Sequence, residues 1–286
     1  MNKPKQVSLI ATEVHNMKSK VTGKNYEVSI GLPYAYNTDS LKITPFGKSS
    51  SKWPVIYVLD SMWFFDMVMS IVRYMAPCGR TSDAIIVGIG YPNKESLEET
   101  WRSSYALRTH DLTPMRSEKS EKYNSEWLQC EVKTGGGNDF FKFIKQELIP
   151  LIDEEYRTDP SKRIIVGHSH GGSLALFAMF QEPKLFSNYI ASSPSVDFAD
   201  NFMFNLESEY AKKHKSLPAQ VFLSAGELEE VTDDDSTLTS MYRFAALLES
   251  RKYKGLSLKK QMFLDNNHCE VAALAFQTGL KLALRK

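Results

Sequence analysis

Cysteine is scarce in this chain of 286 residues: Cys78, Cys130 and Cys269 are odd in number, far apart and in no C-x-x-C pattern. That excludes a disulfide framework and a cysteine-based zinc module, and it suits reduced thiols in a cytoplasmic protein. Charge of one sign is lacking too, because 35 Lys and Arg stand against 34 Asp and Glu for a formal net charge of +1. No global field therefore points to nucleic acid or an anionic membrane, and a partner has to be sought in a local site. No run approaches the roughly 20 apolar residues a membrane span requires. The opening "MNKPKQVSLIATEVHNMKS" has only a short apolar run broken by polar residues, so no signal peptide is expected. Internal repeats and low-complexity tracts are absent as well.

What is present is alternation. "VSLIATEV" (Val7 to Val14) and "NYEVSIGLP" (Asn25 to Pro33) are short, β-rich and separated by a glycine-containing turn, which predicts an N-terminal antiparallel hairpin at a sheet edge. After the polar loop "KITPFGKSSSK" come "PVIYVL" (from Pro54), "AIIVGIG" (from Ala84), "RIIVG" (from Arg163), "YIASSP" (from Tyr189), "QVFLSAG" (from Gln220) and "LKKQMFL" (from Leu258). Most are continuous apolar runs, as in parallel strands buried on both faces. Helix-like segments separate them at about 62–76, 139–155, 171–181, 199–214, 236–252 and 270–283. Within 139–155, Phe140, Phe143, Ile144, Leu148, Leu151 and Ile152 keep mostly three-and-four spacing and define one buried face. The fold class is α/β, a mostly parallel central sheet flanked by helices in one domain over 1–286. Residues 91–138 show no clear regular pattern, and their length suggests a cap-like insertion over a binding site. Gly135, Gly136 and Gly137 at its end read as a hinge or as a flexible lead into the next helix.

Strand and helix meet most pointedly at "RIIVGHSHGGSLALFAMF", where Gly167-His168-Ser169-His170-Gly171 matches G-x-S-x-G. In a nucleophile elbow the serine occupies a strained turn that lifts its hydroxyl clear of the sheet, and Gly167 and Gly171 avoid collisions with the neighbouring strand and the incoming helix. The helix that follows directs its positive end at the same place, where an oxyanion would be favoured. A mere tight β-to-α turn is the plainer alternative. A metal held by His168 and His170 is disfavoured, because the two flank a turn and no further His or Cys cluster lies nearby.

A serine hydroxyl needs a base. Of six histidines, His15 precedes the catalytic half, His214 lies in the lysine-rich "AKKHKS", and His168 and His170 are too close in sequence to reach Ser169 well. His268, in the loop "DNNHCE" after the last predicted strand, is favoured over His110 in the insertion, and a buried structural role is the alternative for either. In this architecture the residues follow the order nucleophile, acid, base. The acid is then sought after "QVFLSAG", where Glu229 comes first, Glu227 second, and Asp233 to Asp235 suggest a solvated turn. The expected oxyanion donors are the backbone N–H of His170 and that of Met62 in "LDSMWFF".

Several of these segments, with "RTHDLTP" and "GGGNDFFKFIKQELIPLIDEEYRTD", resemble in order the esterase D-like group of α/β-hydrolases over nearly the whole chain, and above all its bacterial ferri-siderophore trilactone esterase branch. The resemblance implies an α/β-hydrolase fold, Ser169 as nucleophile and His268 as base, with Glu229 completing a triad or left out of a Ser–His dyad. It implies that Arg108, with Arg102 nearby, holds an anionic catecholate substrate. One departure stands out: relatives commonly carry glycine after the Asp of the "LD" loop, and here that residue is Ser61. The chain thus reads as a cofactor-independent, metal-free serine esterase acting on a small-molecule ester through an acyl-enzyme. Trp63, Trp101, Trp127 and Tyr91 are candidates for an aromatic cleft, or for core. A general carboxylesterase, an acyltransferase and a catalytically silent binding protein are the competing readings, and the oligomeric state is left open.

Overall fold

The computed structural model describes residues 8–37, 51–230 and 236–286. Eight strands form one sheet: β1 (Thr12–Lys18), β2 (Asn25–Gly31), β3 (Trp53–Leu59), β4 (Ile85–Gly90), β5 (Thr158–His168), β6 (Asn188–Ser192), β7 (Ser216–Gly226) and β8 (Lys254–Phe263). Their order across the sheet is β1-β2-β4-β3-β5-β6-β7-β8. β1 and β2 form the antiparallel hairpin and β2 pairs antiparallel with β4, while every pairing from β4 to β8 is parallel. This is the α/β arrangement the sequence pattern implies.

The hairpin begins later than the apolar pattern suggests. Ala11, at φ 54°, breaks the extended backbone, so β1 starts at Thr12 and pairs through Lys18. Val7 lies outside the described residues, as do most of "KITPFGKSSSK" and Asp233 to Asp235. β3 and β4 are buried along their whole lengths because helices cover both faces. Val55, Tyr57 and Leu59 face one apolar cluster, and Ile56 and Val58 the other. β8 closes the far edge with an exposed, lysine-bearing strand, which discourages pairing with another chain.

The helices are α1 (Ser61–Met75), α2 (Leu97–Asp111), α3 (Glu118–Leu128), α4 (Gly137–Phe143), α5 (Ile149–Glu155), α6 (His170–Gln181), α7 (Phe198–Lys213), α8 (Thr237–Arg251) and α9 (Val271–Ala283). A π turn, Ile144–Leu148, joins α4 to α5, and the Ile149 N–H bonds the Ile144 carbonyl. Pro150 explains the widening, since it has no N–H for the Gln146 carbonyl and its ring crowds that group. The apolar face survives: Phe140, Phe143, Ile144, Leu148 and Ile152 are buried, and only Leu151 drifts to half-burial.

The region 91–138 is not irregular. It holds α2 and α3, each begun by a serine whose side chain accepts from the backbone three residues on, Ser96 from Glu99 and Ser117 from Ser120. Ser96 followed by Glu98 and Glu99 was a legible helix start. The helix body lacks an apolar stripe because the buried residues of α2 are Thr100, Ser104, Arg108, Thr109 and Asp111, all polar. Nor do the three glycines read as a hinge. A Cβ at Gly136 would lie 2.0 Å from the His110 ring, one at Gly137 2.8 Å from Pro114, and α4 starts at Gly137 itself. They are sites of close approach.

Phe143 is fully buried and stacks on Tyr26 at 4.2 Å between ring centroids, joining α4 to the hairpin. Phe143→Ala is expected to cost about 3–5 kcal/mol of stability. Urea denaturation with an unchanged m-value checks this, and a loss under about 1 kcal/mol would contradict the packing described.

Candidate active site

The candidate residues leave the sheet at the carboxyl ends of successive strands: Asp60 after β3, Ser169 after β5, Ser193 after β6, Glu229 after β7 and His268 after β8. That edge is where open α/β sheets bind ligands.

Ser169 sits at φ 58°, ψ −125°, a conformation that costs a non-glycine residue of order 1–3 kcal/mol. Its N–H bonds the Ser192 carbonyl at 2.9 Å, and its carbonyl receives the Ser173 N–H at 3.0 Å, so strand and helix hold the corner from both sides. A Cβ at Gly167 would lie 2.2 Å from the Gly171 carbonyl oxygen, so only glycine fits there. Gly171 itself is less constrained than the motif suggests. Its nearest neighbour would be Asp60 Oδ2 at 3.3 Å, whereas a Cβ at Gly172 would come within 3.0 Å of the Ser192 carbonyl.

Glu229 lies in a short 3-10 turn, Glu227–Glu230, and its side chain is wholly buried. Its Oε2 meets His268 Nδ1 at 2.6 Å, while Oε1 accepts from the Gly226 N–H and the Ser193 hydroxyl, each at 2.6 Å. Burial pushes its pKa up, but the bonds from His268, Ser193 and Gly226 together hold it below the ordinary glutamate value. With an ionised carboxylate at Nδ1, the proton belongs on Nδ1, and Nε2 is left as an acceptor. Glu227 instead accepts the Asp265 N–H at 3.0 Å and fixes the loop carrying His268. That loop is also tied by Asn267, whose side chain accepts from the Cys269 and Glu270 N–H groups while Glu270 accepts the Asn267 N–H. This reciprocal cap at the start of α9 was readable in "NHCE".

The other histidines are otherwise engaged. His110 packs with Lys24 and Asp111, and Asp111 also accepts the hydroxyls of Tyr26 and Tyr91. His15 meets Tyr156, and His214 stacks on Tyr210. The two flanking Ser169 face different surroundings. His168 bonds Ser192 Oγ and lies 4.5 Å from the His268 ring, while His170 turns its ring edge to Phe198. Burial holds the His168 pKa well below its usual range and that of His170 at about 3, with the charges of Arg108 and His268 acting the same way.

Asp60 begins α1 in the left-handed region at φ 57°, and its carbonyl accepts the N–H groups of Trp63 and Phe64. Met62, second in the helix, has no intrahelical acceptor for its own N–H, and its side chain is exposed. The departure at Ser61 is accommodated by β4, since a Cβ at Gly88 would lie 2.5 Å from Ser61 Oγ and one at Gly90 3.1 Å from Ser61 Cβ.

Arg108, expected to offer its charge to a substrate, is buried and bidentate with Asp60, Nε to Oδ1 at 2.7 Å and Nη2 to Oδ2 at 2.8 Å. Burial opposes its charge, but Asp60 raises its pKa above the ordinary value. The guanidinium also lies 5.5 Å from the ring centroids of both Trp63 and Tyr105. Arg102 is half-buried, pairs with Glu98, and lines a wide cavity of about 810 Å³ with Asn93, Lys94, Glu99 and Cys130. Trp63, Trp101 and Trp127 do converge, around a residue the sequence reading overlooked, Tyr105. Tyr91 stands apart with Tyr26 and Asp111. No cluster of potential metal ligands occurs among the described residues.

Residues 19–241 match the Esterase family model. The chain belongs to that esterase family. It is 30% identical over 285 residues to ferri-bacillibactin esterase BesA of Bacillus subtilis, covering 96% of this chain and 89% of that one. The crystal structure of the BES protein from Bacillus cereus superposes with a TM-score of 0.80 at 29% identity, over 100% of this chain and 99% of the other. Siderophore hydrolase EstB from Aspergillus nidulans shares the fold at a TM-score of 0.77 and 22% identity, over 99% and 98% of the two chains. The protein is an ester hydrolase on an α/β-hydrolase fold.

The two neutral histidines make this esterase sensitive to acid. Folded, His170 stays unprotonated down to about pH 3 and burial holds the His168 pKa well below its usual range, whereas the unfolded chain protonates both below about 6.5. Stability is therefore complete above pH 6.5 and falls as pH drops toward 3, by up to about 1.4 kcal/mol per pH unit for each histidine. Urea midpoints between pH 7 and 5 should decline, and less steeply in His170→Gln. Midpoints that do not move over that range would refute the assignment.

Proposed function

We propose that this esterase hydrolyses the backbone esters of a catecholate trilactone siderophore, with Ser169 as nucleophile, His268 as general base and Glu229 as the acid that orients it. The Glu229–His268 hydrogen bond, closing over the strand edge that carries the strained Ser169, is the observation that supports this reading most. His268 Nε2 takes the hydroxyl proton as Ser169 Oγ adds to the ester carbonyl. The N–H groups of His170 and Met62 receive the resulting oxyanion. The tetrahedral adduct collapses, the alkoxide leaves with the proton held by His268, and Ser169 keeps the acyl group. Water then repeats the sequence and releases the acid.

The substrate class is supported by the likeness to BesA over nearly the whole chain. It is supported also by the wall of Trp63, Tyr105, Trp101 and Trp127, which offers flat apolar faces suited to catechol rings. Arg102, on the same helix as Tyr105, supplies a cation to the anionic ligand. A cytoplasmic setting suits the three unpaired cysteines, and among the described residues no helix is long and apolar enough to cross a membrane.

Ser169→Ala should lower turnover by about 10⁶-fold, as loss of such a nucleophile does elsewhere. Glu229→Gln should be costly in kcat, and near-wild-type rates would withdraw Glu229 from the mechanism. A kcat/KM comparison between a cyclic catecholate trilactone and p-nitrophenyl butyrate tests the substrate. Strong preference for the trilactone is expected, and activity confined to the small ester would leave a general carboxylesterase.

A further inference from the structure

We infer that Arg108 and Asp60 are positioning residues for the oxyanion site, and that the bidentate ion pair between them sets the geometry of both backbone donors. The inference rests on the proposed roles of Ser169, His170 and Met62. Asp60 is the hinge of the α1 loop: it takes the left-handed conformation, its carbonyl holds the Trp63 and Phe64 N–H groups, and Met62 lies between it and them. Its carboxylate also reaches the other donor, because Oδ2 sits 3.3 Å from where a Cβ on Gly171 would be, next to His170 in the first turn of α6. One buried side chain thus abuts the backbone frames of both donors.

A buried carboxylate holds such a place only if its charge is matched. Arg108 matches it with two parallel bonds of 2.7 and 2.8 Å, a fork that fixes the carboxylate plane as well as its position. Trp63 and Tyr105 hold the guanidinium in turn. Arg108 comes from α2, so a helix of the insertion, and not the sheet alone, defines where the oxyanion is received. Positioning of this kind is a separate role from holding an anionic substrate.

The two roles separate on p-nitrophenyl butyrate, which carries no charge for an arginine to hold. Arg108→Lys keeps the cation but not the fork, and Arg108→Met removes both. Each is expected to lower kcat on this ester about 10²-fold, the size of loss an ångström of misplacement produces, with KM little changed. Binding of a boronic acid that mimics the tetrahedral adduct should weaken in parallel. Asp60→Asn should give the same loss, and the double variant Arg108→Met with Asp60→Asn no further one. The double variant leaves no uncompensated buried charge, so it is expected to regain stability lost by Arg108→Met while kcat stays low, a split that a purely structural pair would not show. Folded Arg108→Lys or the double variant turning over p-nitrophenyl butyrate within about threefold of wild type would overturn the inference. So would a rise in KM confined to the trilactone. Ser169→Ala, assayed alongside, keeps the two readings apart, since full activity there would remove the nucleophile assignment whatever Arg108 does.

Discussion

Two backbones approach each other at the end of β5 more closely than any side chain would permit, and the rest of the site is arranged around that contact. With only hydrogen at Gly167, the Gly171 carbonyl comes in over the strand, α6 starts at once, and Ser169 is left at the apex in a conformation few residues adopt. The strain is held by bonds on both sides, to Ser192 from the neighbouring strand and from Ser173 in the helix. Local conformational cost is thereby met by the ladder of the sheet and the first turn of a helix, elements too well paired to relax it.

From that corner outward, each group is fixed by a partner on the next loop. Ser193 and Gly226 hold Glu229, Glu229 holds His268, and Glu227 and Asn267 hold the loop that brings His268 in. On the other side Asp60 and Arg108 hold the start of α1. Burial holds the pKa of His168 and His170 down, while Glu229, held below the ordinary glutamate value, touches His268 directly. The proposed chemistry asks for a base in one tautomer and two donors at one point, and the residues put forward for each follow different strands.

The parallel strands were legible because burial on both faces leaves continuous apolar runs, and glycine spacing and chain order single out Ser169 and His268 as candidates. In the sequence Glu229 ranks ahead of Glu227 on its place after the strand alone; it is the three-dimensional course of the loop that sends Glu229 to the imidazole and Glu227 to the Asp265 amide. α2 was missed because its inner face is built of polar residues that find partners only in the folded chain. The Asp60 partner of Arg108 was equally hidden, since it lies 48 positions earlier in the sequence.

Ser61 constrains how sequences of this family can drift. Its side chain fills the room above β4 that Gly88 and Gly90 leave open. A lineage that replaces Ser61 with glycine releases Gly90 to accept alanine, whereas Gly88 stays confined by the Phe65 ring, 2.8 Å from where its Cβ would be. The identity at position 61 is therefore coupled to the residue size at 90, while position 88 answers to Phe65 as well.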